Sequence, residues 1–383
     1  MTDFVKLNLE TEKGNNMYFN RDYLKPYEEE LLMFLDGLDY MRTYRFAKDV
    51  MKSQEIKANN VIEGIKDDLS IIEEVIRKKR SFLSNETRKR IINLYHGYQY
   101  ILTNEDINKD SLKVLYAKLS DGLLDVRDIL NMGSYYRNGD VFILKNNRLD
   151  ADPFMGVDAS KIDYFMNQYF EFINDGKMES SELDVFVKSQ IMHFYFVYIH
   201  PYFDVNGRTS RTMSMWYLLN NKSYPYIIFN RAIAFAQKDY ELNIIKSRSN
   251  GDLTFFLKYM LICVEKELEK EYLIRSIQDV SGISLSKEDS QILEYLLSMN
   301  GNLTVKDLAT IYNNYNERKK SFELLNEKIL PLIESSILIN KGNTKSYIVP
   351  GILNMNIDIN PNYVCVDPLK VKHLNVERFI KSR

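Results

Sequence analysis

Apolar residues recur at helical spacing along most of the chain. Within 27–83, Leu31, Phe34, Leu35 and Leu38 follow the i, i+3, i+4, i+7 pattern, and Ile56, Val61, Ile62 and Ile65 follow it more loosely. The segments "RKRIINLYHGYQYIL" and "DSLKVLYAKLSDGLL" continue it, and further helices are predicted over 161–173 and 182–199. The last of these ends in "VFVKSQIMHFYFVYI", apolar on nearly every side, with Gln190 and His193 as its polar exceptions. A helix of that kind is buried on all faces. A tight loop and another helix, "RTSRTMSMWYLLNN", follow it.

Two stretches depart from the helical period. Between Met132 and Asp158 come an Asn138-Gly139 turn, a β-prone run from Val141 to Leu144 and a second turn at Asn146-Asn147. These predict a small hairpin or strand-bearing loop in a helical protein. From Ser286 onward, two helices joined at Asn300-Gly301 precede a helix expected to break near Pro331. Two short strands around a Gly-Asn turn in "INKGNTKSYIVP" complete that region. Three helices and a β-wing outline a winged helix-turn-helix. No repeat of fixed period and no low-complexity segment interrupts the chain.

Composition adds mainly exclusions. With 45% hydrophobic and 27% charged residues and a net charge of -2, the 383-residue chain has an ordinary soluble balance. Nothing global calls for nucleic acid or an acidic membrane as partner. Cys263 and Cys365 are the only cysteines, too few for a disulfide framework or a Cys-based zinc site. The opening residues carry no signal-peptide pattern, and no window is apolar for the length of a membrane span, so a cytoplasmic protein is expected.

Chemistry concentrates in "HPYFDVNGRTSR", residues 200–211. "DVNG" runs straight into a helix, so amides from Val205 to Arg208 can converge on an anion at a helix N-terminus. Gly207 permits close backbone approach, and the Asn206 side chain offers a further amide donor. Arg208 and Arg211 lie three apart on one helix face, a pair of guanidinium forks suited to polyphosphate. Asp204 would repel that phosphate unless a cation intervened, and Mg²⁺ resolves the conflict. His200 then serves as general base toward an attacking hydroxyl. The set describes in-line attack on a nucleotide phosphate. His193 lies two turns from His200, roughly 10 Å away and too far to share a metal, and is expected to be a buried hydrogen-bonding residue. The Gly-rich G-x-x-x-x-G-K-S/T loop, G-x-G-x-x-G and a kinase catalytic loop are all missing.

The stretch closely resembles the signature of the Fic family, H-P-F-x-D/E-G-N-G-R-x-x-R, and the resemblance extends over roughly 25–280. It implies a mainly α protein: a Fic-type helical core with a small β-hairpin flap, followed here by the winged helix-turn-helix. It also implies protein adenylylation, with AMP moving from ATP to a target hydroxyl. His200 would be the base, Asp204 would hold Mg²⁺, and Val205, Asn206 and Gly207 would line the phosphate cradle. Arg208 and Arg211 would meet the β- and γ-phosphates. The segment from Tyr136 to Asp158 matches the family's flap, which docks a target's main chain as an added strand.

Two residues depart from the signature. Tyr202 replaces Phe, a mild change if its ring packs. Val205 replaces the first Gly of the anion loop. A positive φ there would distort the loop, whereas a negative φ would make Val tolerable.

Upstream, "ANNVIEGIKDD" is similar to the family's inhibitory helix, S/T-x-x-x-E-G/N, with Asn59 at the Ser/Thr position. Glu63 would pair with Arg211 in place of the γ-phosphate. In some Fic proteins the same Glu positions water to remove AMP.

The expected organisation is an N-terminal helical region with the inhibitory helix (1–115), the catalytic core (116–280), the winged module (286–350) and a tail (351–383). The expected function is an adenylyltransferase autoinhibited by Glu63. Its partners are a target docked on the flap or the chain itself, whose 27 tyrosines offer many acceptors. Alternatives are AMP removal, transfer of another phosphate group, or a nucleotide-sensing or DNA-binding regulator. Arg318, Lys319 and Lys320 lie among Glu317, Glu323 and Glu327, which favours protein contacts over DNA for the C-terminal module. A homodimer is left open.

Overall fold

The computed structural model describes residues 3–27, 49–65, 67–77, 85–143, 154–221, 229–235, 237–265, 286, 288–289, 292–293, 305–316, 318–334, 339–340 and 347–348. The apolar run from Leu31 to Leu38, the Asn146-Asn147 turn, the Asn300-Gly301 junction and the 351–383 tail lie outside the described residues.

The chain opens with a hairpin, not a helix. Strand β1 (Phe4–Glu10) pairs antiparallel with β2 (Asn16–Asn20). "FVKLNLE" alternates, and Leu7 and Leu9 face inward with Met17 and Phe19 of β2, all four buried. The N-terminal helical region expected over 1–115 thus begins with a hairpin that the sequence reading did not identify. Seven residues of period-two alternation, rich in charge, carry a strand without forming an apolar run.

Helices follow: α1 (Asp49–Ile62), α2 (Leu69–Ile76), α3 (Asn85–Ile101), α4 (Lys109–Ser120) and the short α5 (Val126–Leu130). The predicted hairpin appears as β3 (Phe142–Ile143) paired antiparallel with β4 (Phe154–Met155). Then come α6 (Ile162–Asn174), α7 (Glu182–Ile199), α8 (Asn206–Asn220), α9 (Phe229–Phe235), α10 (Gln237–Asn250) and a helix over 254–265, α11.

The centre is the α7–α8 pair. On α7, Phe186, Ile191, Met192, Phe194, Tyr195 and Phe196 are buried, which fits a helix apolar all round. Trp216 of α8 is fully buried and donates its indole N–H to the Asn104 carbonyl at 2.6 Å. Gln190 donates to the Ser214 hydroxyl at 3.1 Å, a polar stitch between the two helices. The β1–β2 hairpin packs on α6, and Tyr195 reaches across to donate to the Glu10 carbonyl at 3.1 Å.

Toward the C-terminus, α12 (Val305–Tyr315) packs on α2. A helical run from Ser321 to Glu334 and the antiparallel pair β5 (Ile339–Asn340) and β6 (Tyr347–Ile348) follow. Pro331 does not break that run. A π turn over Leu325–Ile329 precedes it, with the Leu330 N–H donating to the Leu325 carbonyl, and such a turn adjusts the ladder where proline supplies no donor. Among the described residues, no helix is long and apolar enough to cross a membrane.

Candidate active site

Helix α7 delivers His200. Its residue after the last turn takes a left-handed conformation (φ +53°), with its N–H still donating to the Phe196 carbonyl at 2.9 Å, and Pro201 follows to stop the helix. The loop then turns sharply into α8. Asn206 braces this turn from inside: its side-chain oxygen accepts from the Tyr202 N–H at 3.0 Å and its amide donates to the Tyr202 carbonyl at 2.8 Å. Asn206 thus holds the loop through its side-chain oxygen and one of its two amide hydrogens. Tyr202 is buried with its ring stacked on Tyr116, centroids 3.5 Å apart and planes 8° apart.

Val205 settles the loop's conformation. It sits at φ +67°, ψ 8°, left-handed and buried. Such a backbone is one a β-branched residue resists, at a cost of about 1–2 kcal/mol. The turn forms nonetheless, closed by the Asp204 carboxylate accepting the Val205 N–H at 2.6 Å. The Val205 carbonyl accepts the Thr209 N–H at 3.0 Å and so begins α8.

Behind it, the first turn of α8 presents the amides of Asn206, Gly207 and Arg208, which have no intrahelical acceptor. Gly207 is needed for proximity: a Cβ there would lie 3.0 Å from a Glu63 carboxylate oxygen and 3.2 Å from an Arg211 nitrogen. The Glu63 carboxylate therefore lies against the positive end of the helix.

The way α1 stops explains how Glu63 reaches this point. Gly64 is left-handed (φ +79°), its N–H donates to the Val61 carbonyl at 2.9 Å, and the Ile65 N–H donates to the Asn60 carbonyl at 2.8 Å. This pair of bonds is a Schellman motif with Glu63 at its cap. Gln237, at the start of α10, donates to the Ile62 carbonyl at 2.7 Å and satisfies another open end. The helix-stopping Gly and the site-facing Glu are one device.

Arg211 is the meeting point. Buried on α8, it donates through Nη2 to Glu63 Oε1 at 2.5 Å and through Nε to Asn59 Oδ1 at 2.6 Å. Asn59 lies inside α1, where it binds the arginine directly and also donates to the Tyr98 hydroxyl at 2.8 Å. Tyr240 of α10 adds its hydroxyl to Arg211 and meets His193 Nε2 at 2.8 Å. His193 is fully buried, as expected of a hydrogen-bonding residue.

Charge follows geometry. Burial pushes the Glu63 carboxyl up, but Arg211 and Arg208 together outweigh it and hold it below its ordinary range. Burial pulls His200 down to about 3, and Arg137 and Arg248 add to the shift, so its imidazole is neutral. Arg208 is buried, and its Nε and Nη1 have no hydrogen-bond partner among the described residues. Buried donors of that kind are costly and call for an acceptor.

Asp204 stands exposed at the loop. Among the described residues no group of three or more His, Cys, Asp or Glu side chains could hold a metal ion. One carboxylate beside a helix N-terminus fits Mg²⁺ shared with phosphate oxygens and water, and does not fit an all-protein cage.

Sequence reasoning passed over four residues. Arg137 and Gly156 lie in the flap segment without a role assigned there, Gln237 and Tyr240 lie outside the motifs, and all four act through the backbone or through Arg211. Their only signal was a buried or tightly packed position, which requires the folded chain.

With this geometry the chain is a mainly helical protein whose central helix pair is joined by a tight turn, with Arg208 and Arg211 buried at the start of α8. Residues 106–218 match the Fic/DOC family, so the chain carries a Fic/DOC family domain. It is similar to proteins named "Protein adenylyltransferase Fic" from Drosophila willistoni (33% identity over 180 residues, 43% of this chain and 33% of that one) and Drosophila mojavensis (26% over 163 residues, 43% and 30%). The chain thus spans about a third of the length of these relatives. Its fold matches a Fic family protein from Desulfovibrio desulfuricans G20, with a TM-score of 0.56 at 19% identity, covering 86% of this chain and 96% of that one. A Fic-1 fragment from C. elegans matches with a TM-score of 0.50 at 14% identity, covering 68% and 73%.

Proposed function

We propose that the chain is a protein adenylyltransferase whose resting state is held off by Glu63. The observation that carries this reading is the pair of arginines at the start of α8. Arg208 has buried donors without a partner among the described residues, and Arg211 is occupied by a carboxylate that lies against a helix N-terminus. A phosphate chain is the ligand for which such donors are built.

In the reaction, neutral His200 accepts the proton of a target hydroxyl. The hydroxyl oxygen bonds to the α-phosphorus, the bond from that phosphorus to the bridging oxygen breaks, and pyrophosphate leaves. Arg208 and Arg211 orient the β- and γ-phosphates and take up the leaving group's charge. Asp204 would hold Mg²⁺, which when bound offsets the negative charge of the phosphate oxygens. The target's main chain adds to the β3–β4 flap, or the chain presents one of its own hydroxyls. Glu63 competes for Arg211 and must move for ATP to bind productively.

The test is labelling of purified protein with ATP carrying a radioactive α-phosphate and Mg²⁺. Glu63→Gly is expected to label itself or an added target more strongly than wild type, and His200→Ala in that background to abolish the label. Absence of label with retained ATP binding would sink the transfer reaction. Absence of both would make the chain a regulator on a Fic scaffold, its anion turn closed by Val205.

A further inference from the structure

Arg137 lies at the start of the flap segment with no role assigned from sequence, and it joins three segments of the site. It is buried, and its guanidinium donates through Nε to the His200 carbonyl at 2.8 Å, through Nη1 to the Gly139 carbonyl at 2.5 Å and through Nη2 to the Val157 carbonyl at 2.5 Å. Its own backbone N–H donates to the Pro201 carbonyl at 2.9 Å. Gly139 precedes β3 and Val157 follows β4, so both ends of the flap are fastened to the backbone of the catalytic base. We infer that Arg137 is a positioning residue, fixing the distance between the flap and His200 so that a main chain docked on the flap presents its hydroxyl at the imidazole. This inference rests on the adenylylation reading given above.

Three arguments support it. A guanidinium is a rigid planar fork, so carbonyls bound to three of its nitrogens are held in a fixed relation; a lysine ammonium on its flexible stem imposes no such plane. Burying a charge is costly unless it is well paired, and simple closure of a surface loop would not require one. Gly156 provides the third. A Cβ at Gly156 would lie 2.7 Å from Arg137 Nη2 and 2.8 Å from His200 Cβ. The chain leaving β4 thus passes against the base at a separation only glycine permits, and the Val157 N–H adds a bond to the Ile199 carbonyl at 3.2 Å. Burial lowers the Arg137 pKa, and the charges of Asp140, Asp158 and Glu12 act against that shift without cancelling it. The groups whose charge acts on His200 are Arg137, Arg248 of α10 and Glu63 at the end of α1.

The experiment takes the full chain with Glu63→Gly as parent and adds Arg137→Gln, Arg137→Lys or Gly156→Ala. Three quantities are read: MgATP affinity by calorimetry, labelling rate at saturating ATP, and the pH titration of the His200 imidazole by NMR. The expected result is ATP affinity within about threefold of the parent, because α8 and its arginines are untouched, with the labelling rate lowered about 10- to 100-fold. Lysine is expected not to rescue. The His200 titration should move upward in Arg137→Gln as a neighbouring positive charge is lost. Should Arg137→Gln melt below the assay temperature, Arg137→Lys and Gly156→Ala carry the test. Labelling within twofold of the parent, or ATP affinity and rate falling together, would overturn the inference. If the parent itself does not label, the adenylylation reading has failed. The His200 titration then decides on Arg137 alone, an unmoved value counting against it.

Discussion

Val205 concentrates the argument at the scale of single residues. Its left-handed backbone costs about 1–2 kcal/mol, and burial of its side chain returns about 1.5–3 kcal/mol. Glycine would lose the strain and the burial together. Val205→Gly is therefore expected to lower the unfolding free energy by no more than about 2 kcal/mol, read by urea titration. A larger loss would mean that the valine side chain is the main anchor of the loop. The bonds at Arg211 give a second prediction. Asn59→Ala leaves the buried Nε without its acceptor, at a cost of about 1–3 kcal/mol in stability. The same change is expected to raise MgATP affinity several-fold by calorimetry, because α1 and its Glu63 lose their second hold on Arg211. Much of this site was legible in advance. His200, Asp204, Gly207, Arg208 and Arg211 were singled out together by their order within residues 200–211, and the pairing of Glu63 with Arg211 followed from the family resemblance. The bracing role of Asn206 was not legible, because it depends on where the Tyr202 backbone lies.

At the scale of elements, α1 is an unusual helix. Lys52, Ser53, Gln54, Glu55, Asn59 and Asn60 are all buried on it, beside the apolar Ile56, Ala58 and Ile62. Arg231 of α9 donates to Gln54 at 2.8 Å, Asn230 donates to Glu55, and Ser53 bonds Glu73 of α2. Gln237 closes its C-terminus. A helix seated by hydrogen bonds loses less on release than one seated by apolar area, since water replaces the lost partners. Gln237→Ala is expected to raise ATP affinity less than Glu63→Gly does, with no change at Arg208. An effect equal to that of Glu63→Gly would show that the capping of α1, not the carboxylate, is what keeps the site shut. The β1–β2 hairpin shows the opposite limit of legibility. Its alternation was present in "FVKLNLE", but its inward face becomes meaningful only against α6.

Across the whole molecule, burial of titratable groups sets the response to acid. His193 and His200 are both pulled from an ordinary 6.5 to about 3, chiefly by burial. The unfolded chain binds more protons than the folded one between those values, so stability falls as pH drops through that window. Each histidine is expected to remove about 2 kcal/mol between pH 7 and pH 5, seen as a lower urea midpoint. Glu63, held below its ordinary range, adds loss in the same direction at still lower pH. A midpoint unchanged at pH 5 would show that neither histidine is shielded as described. At the C-terminal end, α12 packs on α2, the helix that follows the Glu63 turn. Lys319 pairs with Glu327 there, so one of the three cations in that cluster already has an acidic partner within the chain.

The sequence by itself determined the helical period, the buried α7, the tight loop and helix start at α8, and the flap as a strand-bearing loop. These are local, carried by spacing and side-chain chemistry within one or two turns. Tertiary structure alone decided the φ of Val205, the seating of Asn59 on Arg211, the closing bond from Gln237 and the three carbonyls gathered by Arg137. Each of these joins segments distant in sequence, and a single chain carries no periodic mark of which backbone carbonyl will meet which buried donor.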